Sequence, residues 1–169
     1  MSAVLIYTIL PLLVSNTLHM LVVKKDFFAF LAKPVTSTYF GTNKTWRGFV
    51  FLPLANGILL LLLCLINPFF PWQRGFSLGF ILGFAYMLFE LPNSWLKRKM
   101  GIAPGTKAEK NTWFFGLLDK MDSSLGVSLA AMIFIPLNIE KAGLLFAIAV
   151  ASHAFFSWLL TIFKVKKRF

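Results

Sequence analysis

The chain has 169 residues, 58% of them hydrophobic and 14% charged, with a mean hydropathy of +0.76. Soluble domains carry about 25% charged residues and are under half apolar. This composition therefore excludes a water-soluble fold, a disordered chain and a disulfide-stapled secreted scaffold. Seventeen Lys and Arg against six acids give a net charge of +11. In a membrane chain such an excess reads as orientation or an anionic substrate, without a need for nucleic acid.

A helix crosses the ~30 Å hydrocarbon layer with roughly 20 apolar residues. The sequence offers five such stretches, at 3–23, 47–66, 75–96, 113–136 and 142–163, in one membrane domain over 1–169. The expectation is an all-α, polytopic membrane bundle of five transmembrane helices. The first stretch is read as a span and not as a cleaved leader, because no cation precedes it and Lys24 and Lys25 follow. Asp26–Ala32 is amphipathic, with phenylalanines suited to the lipid interface.

The cations fix the expected orientation. Segments 24–47 and 97–112 and the C-terminal tail hold fourteen of the Lys and Arg residues. Arg74 and Lys141 fall on the other side, and Lys120 lies within a span. The positive-inside rule then predicts an outside N-terminus, a cytoplasmic C-terminus and cytoplasmic loops at 24–46 and 97–112. Trp46, Trp95 and Trp113 fall at the same interface. Cys64 stands alone in an apolar run as a small buried hydrophobe.

Charges within a span are costly and mark functional positions. Three of the six acids, Glu90, Asp119 and Asp122, lie in predicted spans. Asp119, Asp122, Ser123 and Gly126 follow the i, i+3, i+4, i+7 spacing of one helix face, and Glu90, Asn93, Ser94 and Lys97 repeat it. Pro92 within the second series predicts a kink. At 1.5 Å per residue, Glu90 and Asp119 sit about 10 Å below the cytoplasmic surface, with Asn16 at a similar depth.

Paired carboxylates with hydroxyl neighbours suit Mg²⁺, which takes one or two carboxylates plus phosphate oxygens and water. The structural alternative is that Asp119 and Asp122 neutralise Lys120 or a basic residue of another helix. Around this layer lie Asn43-Lys44-Thr45-Trp46-Arg47-Gly48, opening the second span, and Lys97-Arg98-Lys99, closing the third. Lys44 and Arg47 beside a helix N-terminus suit phosphate. The remaining cations read as topogenic. Gly101-Ile102-Ala103-Pro104-Gly105 is turn-rich and allows its loop to fold back over a ligand. His19, near the cytoplasmic end of the first span and three residues after Asn16, is a candidate to line the pocket, and His153 reads as an interhelical hydrogen-bonding group.

Three motifs in order resemble the membrane CTP-dependent phosphatidate cytidylyltransferases (CDP-diglyceride synthetases), nearest their short, five-helix CDP-archaeol synthase branch. They are Asn43 to Gly48, Glu90-Leu91-Pro92-Asn93-Ser94-Trp95-Leu96-Lys97-Arg98, and Leu118-Asp119-Lys120-Met121-Asp122-Ser123. The Lys-Asp and His-Gly-Gly elements of longer members are absent before the last motif. Glu90 stands where archaeal-type sequences often have a Gly-Asp pair.

The resemblance implies transfer of CMP from CTP to a lipid phosphate in the cytoplasmic or inner membrane, with Mg²⁺ and room for a second cation. Asp119, Asp122 and Glu90 would hold metal, with Lys97 joining them in catalysis. Lys44, Arg47 and Arg98 would bind triphosphate, and Asn43, Thr45, Asn93, Ser94, Ser123 and Asn16 would add polar contacts. The rival classes are a small transporter or channel for an anionic metabolite and a non-catalytic membrane scaffold.

Overall fold

A computed structural model describes residues 1–106 and 112–163. Its elements are α1 (Ser2–Lys24), a 3₁₀ turn at Ala29–Leu31, the one-turn α2 (Ser37–Phe40), α3 (Trp46–Ile66), α4 (Trp72–Lys99), α5 (Thr112–Phe134) and α6 (Ile139–Ile162). The described residues form a helical bundle with no strand beyond an isolated bridge, Pro34 to Thr45. Lys107 and Lys110 of the second basic loop, and Lys164, Lys166, Lys167 and Arg168 of the tail, lie outside the described residues.

Each expected span is a helix, and four of them (α1, α3, α4 and α6) are long and apolar enough to cross a membrane. The remaining one, α5, carries Asp119, Lys120 and Asp122 within 23 residues. Its outer face is nevertheless apolar, since Leu125, Leu129, Met132 and Ile133 are exposed. Similar stripes run along α1 (Ile6, Leu10, Val14, Leu18) and α3 (Val50, Leu54, Ile58, Leu62). Exposed apolar surface on this scale is what a bilayer covers.

The interior depends on small residues and a few buried polar groups. Helix α3 packs along α4, where Gly75, Gly79 and Gly83 recur every four residues. A Cβ on Gly79 would stand 2.6 Å from the Asn56 carbonyl, so only glycine permits this approach. Fully buried Asn56 locks the contact by donating Nδ2 to the Gly79 carbonyl at 2.6 Å. Leu52, Leu60, Leu82 and Leu145 fill the surrounding core.

The bundle is capped at the end where α5 passes to α6. Asn138 accepts from the Lys141 amide at the start of α6. Arg74 donates to the Phe134 carbonyl at 2.9 Å, closing the C-terminus of α5.

Several boundaries correct the sequence expectation, and α6 begins at Ile139 instead of 142. Helix α4 begins at Trp72 and runs to Lys99, so Lys97, Arg98 and Lys99 form its last turn instead of opening a loop. Cations are favourable there because they meet the negative end of the helix dipole. The helix also runs through Pro92 as one element. Residues 26–32 form a turn and a 3₁₀ segment, with Asp26 and Phe28 at positive φ. Phe27, Phe28 and Phe30 point outward as expected, at 50–71% exposure.

Candidate functional site

Chain connectivity places the end of α1, the start of α3, the end of α4 and the start of α5 at one end of the bundle. There the acids and cations converge. Glu90 forms an ion pair with Lys44, whose side chain comes down from the α2–α3 loop. Lys97, two turns further along α4, pairs with Asp119 of α5 and lies 5.8 Å from the Phe115 ring centroid.

Asn93, 6% exposed, stands between these pairs. Its Nδ2 donates to Asp119 Oδ1 at 2.6 Å and to Asp122 Oδ2 at 2.8 Å. One amide nitrogen thus draws both carboxylates to a common point. The amide oxygen, Asn93 Oδ1, is buried without a hydrogen-bond partner among the described residues.

Close packing sets the register of α4 against α5. A Cβ on Gly126 would lie 2.5 Å from the Phe89 ring, so the aromatic side chain seats directly on α5 beside Glu90. The loop carrying Lys44 is tied at its base, where the Val35 amide donates to the Lys44 carbonyl and the Trp46 amide to the Lys33 carbonyl. At its tip, Gly41 adopts φ +84°, and a Cβ there would meet Pro104 at 3.0 Å. Pro104 of the turn-rich Gly101–Gly105 segment therefore packs on the first loop.

Electrostatics favour a charged Lys44. Burial opposes its ammonium form, but the Glu90 carboxylate beside it, with Asp122 and Asp119 beyond, holds its pKa above the usual lysine value of 10.5.

Other expected site residues are engaged elsewhere. Arg47 is buried and turned to Asp26 Oδ1 at 2.9 Å and the Phe27 carbonyl at 3.1 Å, so it braces the loop after α1. Ser94 donates back to the Glu90 carbonyl at 2.9 Å. The Ser123 hydroxyl lies 3.4 Å from His153 Nδ1 in the core, and its amide donates to Asp122 Oδ1. Asn16 lines a small internal cavity with Tyr86 and His153. Thr45 precedes α3 without a side-chain cap, and Asn43 is exposed beside the Gly41 turn. Lys120 reaches Ser157 of α6 at 3.0 Å, so Lys97 is the basic partner on another helix that meets Asp119.

The role expected for His153 is present, because its Nε2 lies 3.2 Å from the Tyr86 hydroxyl and links α6 to α4. His19 lies against Phe51, its ring stacked at 6.2 Å, with Nε2 buried and without a hydrogen-bond partner among the described residues. Tyr86 and Asp26 were not singled out by the sequence pattern. Tyr86 falls four residues before Glu90 on the same helical face, which is a usable signal.

Asp119 and Asp122 are the side chains here that could hold a hard cation. Two carboxylates share one point, the Asn93 amide nitrogen. No group of three or more His, Cys, Asp or Glu gathers to bind metal among the described residues. Two carboxylates completed by phosphate oxygens and water is a magnesium arrangement.

A family model described as CarS-like: CDP-archaeol synthase matches residues 2–167. The CDP-archaeol synthase of Pyrococcus furiosus is 30% identical over 70 residues, which cover 41% of this chain and 42% of that relative. The matched stretch is thus under half the length of the relative. No solved structure matches.

Proposed function

The chain belongs to the CarS-like CDP-archaeol synthase family, and from that premise we propose that it is a CTP-dependent cytidylyltransferase of the membrane. It moves CMP from CTP onto a lipid phosphate, giving a CDP-lipid and pyrophosphate. The observation that carries this reading is the convergence of Asp119 and Asp122 on Asn93, flanked by Lys44 and Lys97 at one end of an apolar bundle.

In the reaction an oxygen of the lipid phosphate attacks the α-phosphorus of CTP in line. A new P–O bond forms as the bond to the β-phosphate breaks, and pyrophosphate carries away the electron pair. Such transfer depends on positioning and charge neutralisation. Asp119 and Asp122 would hold magnesium, which supplies positive charge against the phosphate oxygens. Glu90 reaches the same centre once Lys44 turns to phosphate. Lys44 and Lys97 exchange carboxylate partners for triphosphate oxygens, and Arg47 keeps the Lys44 loop in place through Asp26. Asn93 keeps the two carboxylates together. Asn43, Thr45, Ser94, Ser123 and Asn16 contribute through loop and helix geometry.

The same reading sets the topology. Five spans, α1 and α3 to α6, place the basic end at the cytoplasmic face of the cell membrane, where CTP arrives from water and the acceptor from the bilayer. An outside N-terminus follows from an odd number of spans and the positive-inside rule. A transporter reading finds no support in the family match.

Incubation of purified protein with labelled CTP, Mg²⁺ and a panel of lipid phosphates tests the proposal. CDP-lipid should form with wild type and fall at least 100-fold with Asp119→Asn or Asp122→Asn. Unchanged rates in both variants would remove the metal assignment.

A further inference from the structure

Helix α4 has two chemically distinct sides near its C-terminus. At about 100° per residue, Glu90, Asn93 and Lys97 fall within a sector of about 60°, facing α5 and Lys44. Leu88, Leu91, Pro92 and Trp95 fall on the opposite side. With Phe40 and Phe89 they line a groove of about 380 Å³. Leu88 and Trp95 are 44% and 43% exposed, so the groove opens outward toward the bilayer.

Two cations stand just beyond the Trp95 end of this groove. Arg98 and Lys99 follow Trp95 on the same flank, and Lys99 Nζ lies 5.0 Å over the Trp95 ring. Arg98 Nε and Nη1 are buried with no hydrogen-bond partner among the described residues. Unmatched guanidinium donors are costly, and they satisfy phosphate oxygens well. Leu88 lies ten residues from Arg98, about 15 Å deeper along the helix. An anionic head at the surface and an apolar channel descending into the membrane match an amphiphile end to end.

We propose that this groove docks the lipid phosphate acceptor, with its hydrocarbon chain along Leu88, Leu91 and Phe40 and its phosphate between Arg98 and Lys99. This rests on the cytidylyltransferase reading and deepens it. Arg98, expected from sequence to grip triphosphate, is thereby assigned to the acceptor. Two cations suit a phosphomonoester of about −1.5 to −2 charge better than a singly charged bilayer diester. The groove's lining is close in the chain to the reaction centre. Arg98 adjoins Lys97, whose ammonium meets Asp119, and Phe40 ends α2 just before the loop that carries Lys44.

Trp95 makes docking measurable without CTP or Mg²⁺. Lipid phosphate with brominated chains, titrated into detergent-solubilised protein, should quench a tryptophan component that Trp95→Phe removes. Brominated phosphatidylglycerol and phosphatidylcholine should need at least fivefold higher mole fractions, and Lys99→Ala should erase that preference. Equal quenching by all three lipids, or quenching unchanged in Trp95→Phe, overturns the proposal. As a second arm, Leu88→Trp fills the groove and should raise the KM for lipid phosphate at least fivefold while the KM for CTP stays constant. An unchanged lipid KM overturns it equally. Quenching preference without turnover of any lipid phosphate would support the groove and refute the reaction, whereas turnover without the preference would refute the groove alone.

Discussion

Replacing Asn93 by leucine isolates what holds the acidic pair together. The substitution keeps volume but removes the Nδ2 donor shared at 2.6 and 2.8 Å by Asp119 and Asp122. Hydrogen bonds to charged groups contribute roughly 1.5–3 kcal/mol each. Two carboxylate oxygens about 5 Å apart also repel by about 3 kcal/mol at an effective dielectric near 20. Those losses overlap, and the Asp119 side chain is 44% exposed, so the net cost is about 2–3 kcal/mol. For a chain of this size that corresponds to a fall of roughly 5–10 °C in melting temperature in a chelator. Magnesium would supply the missing positive charge and bind the variant's folded form preferentially, so saturating Mg²⁺ should recover at least half the fall. Thermal melts of both proteins in detergent, with EDTA and with Mg²⁺, make the comparison. An equal fall under both conditions would refute the idea that the amide nitrogen sits where cation charge belongs.

Lys44→Met strands the Glu90 carboxylate and should cost about 3 kcal/mol or more; Lys44→Met with Glu90→Gln should restore most of that stability but not activity, as melts and CTP turnover would show. Because Glu90 raises the Lys44 pKa, the stability from this pair is full below pH 10.5 and lost as pH rises beyond it. The wild-type advantage over Lys44→Met should therefore stay flat from pH 6 to 9 and shrink above about 10.5 in chemical denaturation. Gly79→Ala forces a Cβ against the Asn56 carbonyl and should destabilise by about 1–3 kcal/mol, whereas Gly116→Ala, where nothing lies within 4 Å of the new methyl, should not. His153→Phe removes the contacts to Tyr86 and Ser123 and should lower stability by about 1–3 kcal/mol, with His153→Gln recovering part of it in the same melts.

Much of this architecture is legible in sequence because bilayer thickness imposes a length. The first helix, Ser2–Lys24, departs from the predicted 3–23 by one residue at each end. The i, i+3 spacing likewise placed Asp119 and Asp122 on one face, and the structure brings that face to Asn93 and Lys97. Spacing specifies a face, however, and not the partner a hydroxyl finds. Ser94 bonds the carbonyl four residues back, a competition intrinsic to serine in helices. The Arg47–Asp26 pair depends on positive φ at Asp26 and Phe28, neither a glycine, so turn composition does not announce it. Lys97 to Lys99 read as loop because three cations resemble a polar boundary, although a helix C-terminus welcomes them. The four-residue recurrence of Gly75, Gly79 and Gly83 is a sequence signal for close helix contact, and it marks the α3–α4 face.

The most direct test of the central claim follows the phosphates of CTP. Purified protein is given lipid phosphate and Mg²⁺ with CTP labelled at either the α- or the γ-phosphorus, and the lipid and aqueous phases are counted. Nucleotidyl transfer predicts α-label in the lipid and γ-label in pyrophosphate, in equal amounts. Gamma-label in the lipid, or CTP left intact while lipid phosphate and Mg²⁺ are present, would contradict it.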